Sequence, residues 1–435
     1  MMLDPQRSWD FAFRHLETLR RPWGFDASEA ETGDYAALFG RDSLWMLIFL
    51  LDAADLVRDS RFSDWVLEAC KDALGALAAH QGRRTLDLIE EQPGKIPHER
   101  REQLDARLRG MNIRFEGGFS YSGFDQTFLF VVACCAAAKQ FGQAAVDGRL
   151  AQAMHDALAW IDAVADDDGD GLLEYRRRNP ANLLNQTWRD SFDSLVSTGE
   201  DIPPHPVAWL SVQAYAFRAW QEAAAFYDRL GEQVIAADLR TKAAGLAGRV
   251  AQRFWIAGED CPVIALDALK CAIAMISSDA GHALWSGIVG QDRVPALVRR
   301  LMRPDLLSAY GVRTLSTASP FFAPFSYHRG NIWPFDNAIL VRGLLYYDYR
   351  KEARRVIERV ITAIERIGSP CELYVALDGG LSVVPSLKDQ TLLLRRRKAQ
   401  ENEIQGWTAA GLLYMAAALA RLDGKTLTFR ADELA

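Results

Sequence analysis

The chain has few of the features that assign an enzyme quickly. Its six cysteines (Cys70, Cys134, Cys135, Cys261, Cys271 and Cys371) are scattered and form no CxxC pair. That spacing argues against a zinc site and a disulfide scaffold, and implies a reducing compartment. Cys134 and Cys135 lie in an apolar run and read as core residues. There is no GxSxG, Walker or HExxH segment, and no dinucleotide fingerprint after a strand. The seven histidines show no metal-ligand spacing. No metal and no cofactor is therefore expected. Basic excess is missing too: the net charge is -7, which argues against a nucleic-acid or anionic-membrane partner. The one basic run, RRRK at 395–398, reads as a solvated face. Uncharged stretches such as 406–420 fall short of the ~18 residues that span a bilayer. MMLDPQRSWDF at the start has no apolar signal core. The expectation is a cytoplasmic protein with no membrane partner.

What is present is helical. Apolar residues make up 49% and charged residues 25%, ordinary globular usage, in a chain long enough to bury a large core. Ala353, Val356, Val360, Ile364 and Ile367 form one stripe at helical spacing; Val207, Leu210, Ala214 and Phe217 form another. Asp4 before Pro5 reads as an N-cap and first helical position. The pattern predicts helices over 4–20, 41–56, 61–79, 124–142, 148–165, 206–229, 231–255, 279–302 with a break near Gly290, 335–347, 350–368 and 404–422. Strand signals are confined to 426–429 and the stretch around Glu372. With no repeat and no low-complexity linker, residues 1–435 read as one all-α domain. The connections around 81–123, 166–205, 303–334 and 369–403 are long and rich in aromatics, a mark of function rather than disorder. Helices with long loops on one rim form a cup for a small molecule.

Five segments offer chemistry. In GRDSLW (40–45), Arg41 and Asp42 beside Trp45 read either as a helix-start ion pair or as a clamp for vicinal sugar hydroxyls. In NQTWRDSFDS (185–194), Asp190 lies beside Trp188 and Arg189; a carboxyl against an indole can keep its proton and donate it. Arg189 opposes this if it points the same way, and Asp193 offers a second acid or a cap. SYHRGNIWPFDNA (326–338) supplies His328, Arg329, Asn331, Trp333 and Asp336. CELYVALDGG (371–380) supplies Glu372, and KAQENEIQGWTAAG (398–411) supplies Glu401 and Glu403 before Trp407. One of these three glutamates could serve as a base. DDDGDG (166–171) has the spacing of a calcium loop, but Arg177 stands where a bidentate Glu belongs. A tight Asp/Gly turn is the preferred reading.

Taken in order, YAALFGRDSLW, EEQPGKIPHER, FSYSGFDQTFLFV, DDDGDGLLEY, NQTWRDSFDS, PVAWLSVQAYAF, SSDAGHALWSGI, YGVRTLS, APFSYHRGNIWPFDNAIL, CELY and IQGWTAAGLL resemble the bacterial amylo-α-1,6-glucosidase family. This is the glucosidase half of glycogen debranching enzymes, related more distantly to glucoamylases. The resemblance implies an (α/α)6 toroid and an inverting, exo-acting glycoside hydrolase that releases a terminal sugar, glucose by expectation, from an α-glucoside. It implies Asp190 as general acid, Glu372 as general base, and Arg41 and Asp42 on the sugar next to the scissile bond. Asp125, Trp188, Arg189, Arg313, His328, Trp333 and Trp407 fall in matching motifs and are expected in the pocket. Ser211 stands where the family usually has an acid. The separate N-terminal domain of many relatives has no counterpart, which favours a small carbohydrate substrate over a polymer. Two other classes remain: a sugar 2-epimerase, which needs a pair of His bases, and a non-catalytic sugar-binding protein on the same toroid.

Overall fold

The computed structural model describes residues 3–29, 35–102, 113–196, 201–377, 380–383 and 404–430. Among the described residues there are twelve α-helices: α1 (Pro5–Thr18), α2 (Gly40–Val57), α3 (Ser60–Ala79), α4 (Gln126–Phe141), α5 (Gly148–Val164), α6 (Leu210–Arg229), α7 (Gln233–Arg253), α8 (Asp279–Ser286), α9 (Val294–Leu301), α10 (Pro334–Tyr346), α11 (Arg350–Ile367) and α12 (Gly406–Leu422). The even-numbered helices are buried on nearly every face, as a helix apolar all round must be. They touch in the cyclic order α2, α4, α6, α8, α10, α12 and back to α2. The odd-numbered helices pack outside. α3, α5, α7, α9 and α11 each lie on the inner helix that precedes them, and α1 lies on α12. This is an (α/α)6 toroid of six inner and six outer helices.

Local chemistry accounts for the element ends. Asp4 accepts a hydrogen bond from the Gln6 backbone N–H at 3.0 Å, with Pro5 in the first turn. Ala353, Val356, Val360 and Ile364 are the buried face of α11, with Ile367 half-buried at its end. The break expected near Gly290 comes at Gly287, whose φ of 85° ends α8 in the left-handed region. The expected strand at 426–429 does not form. Its Thr428 pairs instead with the Gln6 side-chain amide, which donates to the Thr428 carbonyl at 3.0 Å and accepts from its N–H at 2.9 Å. An amide at a helix face thus replaces a neighbouring strand. The strand signal near Glu372 is real: Tyr374–Leu377 pairs antiparallel with Gly380–Val383. The remaining strands are two-residue pairings in loops, too short to leave an alternating pattern. No helix among the described residues is long and apolar enough to cross a membrane.

The ring has a filled axis. One face of α2 carries Arg41, Trp45, Phe49 and Asp52, three or four residues apart. Trp45 packs on Phe49, on Tyr215 of α6, and on His282 and Trp285 of α8. Phe49 stacks on Tyr414 of α12. At the far end Asp52 pairs with Arg342 of α10, whose guanidinium also lies over Trp285. Inner helices approach closely where one contributes glycine: a Cβ on Gly343 of α10 would lie 2.7 Å from the Trp285 backbone nitrogen. Among the described residues the axis is therefore filled toward the α2 C-terminal end, which leaves its N-terminal rim as the candidate place for a ligand. Replacing the fully buried Trp45 with alanine is expected to cost about 3–5 kcal/mol of unfolding free energy, read as a lower urea midpoint at unchanged slope.

Candidate active site

The rim is made by the first residues of the inner helices. The loop before α4 crosses the start of α2, where the Gly40 N–H donates to the His98 carbonyl at 2.8 Å. A Cβ on Gly40 would collide with the Pro97 carbonyl oxygen, so glycine is required for this crossing. Arg41 and Asp42 follow at once. They do not pair as a simple helix-start couple. The Arg41 Nε donates to both carboxylate oxygens of Asp125, the N-cap residue of α4, at 2.8 and 2.9 Å. Its Nη1 reaches Asp190 at 3.4 Å, and its buried Nη2 has no hydrogen-bond partner among the described residues. Burial works to lower the pKa of this guanidinium, but Asp125 and Asp190 hold it above the usual value. Asp42 accepts from the Gln405 amide at 3.1 Å. Burial pushes its pKa up to about 7, opposed by Arg41 and reinforced by Asp190. Asp42, Asp125 and Asp190 thus surround one cation.

The loop carrying Asp190 is rigid on both sides of it. The Ser194 hydroxyl donates to the Arg189 carbonyl at 2.6 Å, and the Asn185 amide donates to the Ser191 carbonyl at 2.8 Å. Arg189 points away from the acid. Its Nε meets Asp279 at 2.5 Å, Nη1 the His328 carbonyl at 2.7 Å, and Nη2 the Ser278 hydroxyl and Thr314 carbonyl at 3.0 and 2.8 Å. This fully buried side chain directs its donors to protein and ties loops together. Trp188, also buried, donates its indole N–H to Asp279 at 3.1 Å. Both side chains expected in the pocket are therefore turned into the protein, and a cation that meets Asp190 is Arg41. Asp193 does not cap a helix, but accepts from Ser326 at 2.8 Å and pairs with Arg329 at 3.2 Å.

Glu372 reaches the rim on a separate loop, just before the Tyr374–Leu377 strand, whose Tyr374 exchanges backbone bonds with Ile332. The Tyr327 hydroxyl donates a short hydrogen bond to Glu372 Oε1. Burial, then Glu372, Tyr35 and Asp190 all raise the Tyr327 pKa, so this phenol lies within the fields of both expected catalytic carboxylates. Sequence reasoning missed Tyr327, because nothing local sets it apart from its neighbour His328. His328 is buried, bonded through Nδ1 to the Ser191 hydroxyl at 2.8 Å, and stacked on Trp333 with rings 9° apart. Trp333 gives its N–H to the Tyr327 carbonyl at 3.0 Å and meets Trp407 edge-on. Trp407 stacks on Phe335 at 3.9 Å and has a buried indole N–H without a partner among the described residues. Arg313 is half-buried, its guanidinium toward the Ala376 carbonyl at 3.4 Å. Glu401, Glu403 and the 395–398 basic run lie outside the described residues. A second buried histidine, His282, has both ring nitrogens engaged, by Tyr215 at 2.6 Å and Asp336 at 2.8 Å. It is not poised to act as one of the two bases an epimerase needs.

DDDGDG forms the tight turn. Asp166 accepts from the Gly169 and Gly171 N–H groups at 2.8 and 2.9 Å. The carboxylates of Asp166, Asp168 and Asp170 lie within 4.8 Å of one another, and the Lys270 ammonium reaches Asp168 at 2.9 Å, Asp170 at 3.5 Å and Glu174 at 2.5 Å. Lys270 thus pairs with two carboxylates of this acidic turn and with Glu174. Ser211, the departure from the resembled family, is buried with its hydroxyl unpartnered among the described residues.

Because folding raises the Asp42 pKa from 3.8 to about 7, the folded chain holds that proton more tightly than the unfolded chain. The stability this contributes is complete below about pH 4 and lost as pH rises through 7. Asp42→Asn is expected to match the wild-type melting temperature near pH 4 and exceed it at pH 8. A wild-type advantage at pH 8 would contradict the shift.

Comparison with known proteins places this geometry in a family. The model of the mannosylglycerate hydrolase MGH1-like glycoside hydrolase domain matches residues 88–382. No curated protein sequence matches the chain. Among solved structures, a mannosylglycerate hydrolase from Thermus thermophilus in complex with Tris is similar at a TM-score of 0.67 and 17% identity, covering 94% of this chain and 99% of that one. The same enzyme with Tris and D-glycerate aligns at 0.67 and 16% identity over 94% and 99%. A wild-type glycosidase aligns at 0.60 and 15% over 96% and 99%. These likenesses show the toroid, and the family match shows the class: the chain belongs to the MGH1-like glycoside hydrolases.

Proposed function

We propose that the chain is an inverting, exo-acting hydrolase that releases one terminal sugar from a small α-glycoside, with Asp190 as general acid and Glu372 as general base. The observation that carries the reading is the rim itself. Two carboxylates borne on different loops are tied to one segment: Tyr327 bonds Glu372, and its neighbours Ser326 and His328 bond Asp193 and Ser191 beside Asp190, above an axis filled by Trp45, Phe49 and Asp52–Arg342. A cup open at one end takes a chain terminus rather than a chain interior. Asp190 protonates the glycosidic oxygen as the bond to the sugar breaks. Glu372, oriented by Tyr327, takes a proton from a water that attacks the opposite face of the sugar carbon. Such a pair needs a separation of ~6.5–9.5 Å to admit the water, and attachment to separate loops is the means of providing it. Arg41 and Asp42 hold the sugar hydroxyls. The unpartnered donors on Arg41 and Trp407 favour an oxygen-rich ligand, because buried donors left unsatisfied are costly.

A hexosylglycerate is the substrate class favoured over an α-1,6-linked glucan branch. The family carries the name of a mannosylglycerate hydrolase, and a similar structure holds D-glycerate. Whether the released sugar is glucose or mannose is decided by assaying both glycosides. Asp190→Asn and Glu372→Gln are each expected to lower kcat by about 10²–10⁴-fold on the natural leaving group. Wild-type rates in both variants would overturn the assignment. Proton NMR of the first product is expected to show the β-anomer; initial α-product would overturn inversion. Tyr327→Phe, which removes one hydrogen bond to a charged acceptor worth about 1.5–3 kcal/mol, is expected to lower kcat roughly 10–100-fold with little change in KM.

A further inference from the structure

The α8 segment SSDAGHALW has no part in the chemistry above, yet it touches the acid-bearing loop from two directions. Asp279 is fully buried and divides its carboxylate between consecutive residues of that loop: Oδ1 accepts from the Trp188 indole at 3.1 Å, and Oδ2 from Arg189 Nε at 2.5 Å. One turn further along α8, His282 lays its ring flat on Trp188, centroids 5.3 Å apart and planes 9° from parallel. His282 is itself locked. Tyr215 of α6 bonds its Nδ1 at 2.6 Å and Asp336 of α10 bonds its Nε2 at 2.8 Å. Three neighbouring inner helices therefore converge on His282, which lies against the indole of a residue two positions before Asp190. Bonds within the loop make it stiff, but stiffness alone does not locate Asp190 relative to Arg41, which stands on α2. The docking of Trp188 and Arg189 onto α8 does.

We infer that Asp279 and His282 are positioning residues of the general acid: by gripping Trp188 at its edge and its face, they set where the Asp190 carboxyl stands against the leaving group. Tyr215 and Asp336 hold His282 in the orientation this requires. The inference rests on the reading of Asp190 as the acid. It has a specific kinetic signature. A misplaced acid slows departure of an alkoxide that must be protonated, but scarcely affects fluoride, which leaves without full protonation. A merely structural fault, or a damaged sugar site, slows both.

The test compares hexosyl-α-glycerate with the matching α-hexosyl fluoride in wild type, Asp190→Asn, Asp279→Asn, His282→Asn and Tyr215→Phe, each checked for a wild-type-like circular dichroism spectrum and cooperative melt. Asp279→Asn and His282→Asn are expected to lose about 10²-fold in kcat on the glycerate with KM within twofold, and less than about threefold on the fluoride. Tyr215→Phe should show the same bias at smaller size. Equal losses on both substrates in the α8 variants, with Asp190→Asn showing the bias, overturn this inference alone. Equal losses in Asp190→Asn overturn the reading of the acid instead. A crystal structure of His282→Asn gives a readout independent of turnover: Asp190 is expected to leave Arg41, and an unmoved Asp190–Arg41 contact overturns the inference. If Asp279→Asn does not fold, His282→Asn and Tyr215→Phe carry the test.

Discussion

The guanidinium of Arg41 is the interaction on which the rim depends. It is buried between Asp125 and Asp190, and an isolated buried cation would be strongly destabilising. The two carboxylates offset that cost, and in doing so join the start of α2 to the start of α4 and to the loop that carries the acid. All the inner helices begin at this rim, so their N-terminal N–H groups and positive dipole ends favour the carboxylates gathered there. The charge balance explains why Asp125 and Asp190 can stand near one another, while burial, reinforced by Asp190 against Arg41, lets Asp42 keep its proton to about pH 7.

Below the rim the physics changes from charge to packing. Aromatic rings from α2, α6, α8 and α12 fill the axis in stacked, tilted and edge-to-face contacts, and the Asp52–Arg342 pair lies at the far end. This plug gives the mouth a rigid floor. Trp188 and His282 belong to both layers: they are core residues by burial, yet one side of their contact network ends two residues from the acid. A core that ends directly under a reactive carboxyl is a means of fixing its position without placing more polar groups in the pocket.

Much of this was legible beforehand. Inner helices such as α4 and α12 are apolar on all faces and outer ones such as α11 on one, so their periods separate two layers before any coordinate is known. The break after α8, the Asp4–Pro5 start and the tight Asp/Gly turn follow from local stereochemistry. The strand expected at 426–429 did not form because β-propensity has no partner to act on there, and a glutamine side chain took the pairing instead. Trp188 and Arg189 were expected in the pocket because their motif matches the resembled family. In an extended loop consecutive side chains diverge, so a residue beside the acid can face the core.

By itself, then, the sequence determined the helical layers, their order, and the segments that carry the rim, because period, caps and turn residues act over a few positions. Its ordered motifs pointed to the broader glycosidase class, though to a different branch from the MGH1-like one found. Only the tertiary structure decided which donors meet which carboxylates: that Arg41 bonds Asp125 and Asp190, that Tyr327 attends Glu372, that Lys270 pairs with Asp168 and Asp170 of the acidic turn. These are contacts between residues tens to hundreds of positions apart, governed by ring closure and burial, and no local pattern encodes them. GRDSLW could be read as a helix start or as a sugar clamp. The closed ring made it the point where buried charge is balanced.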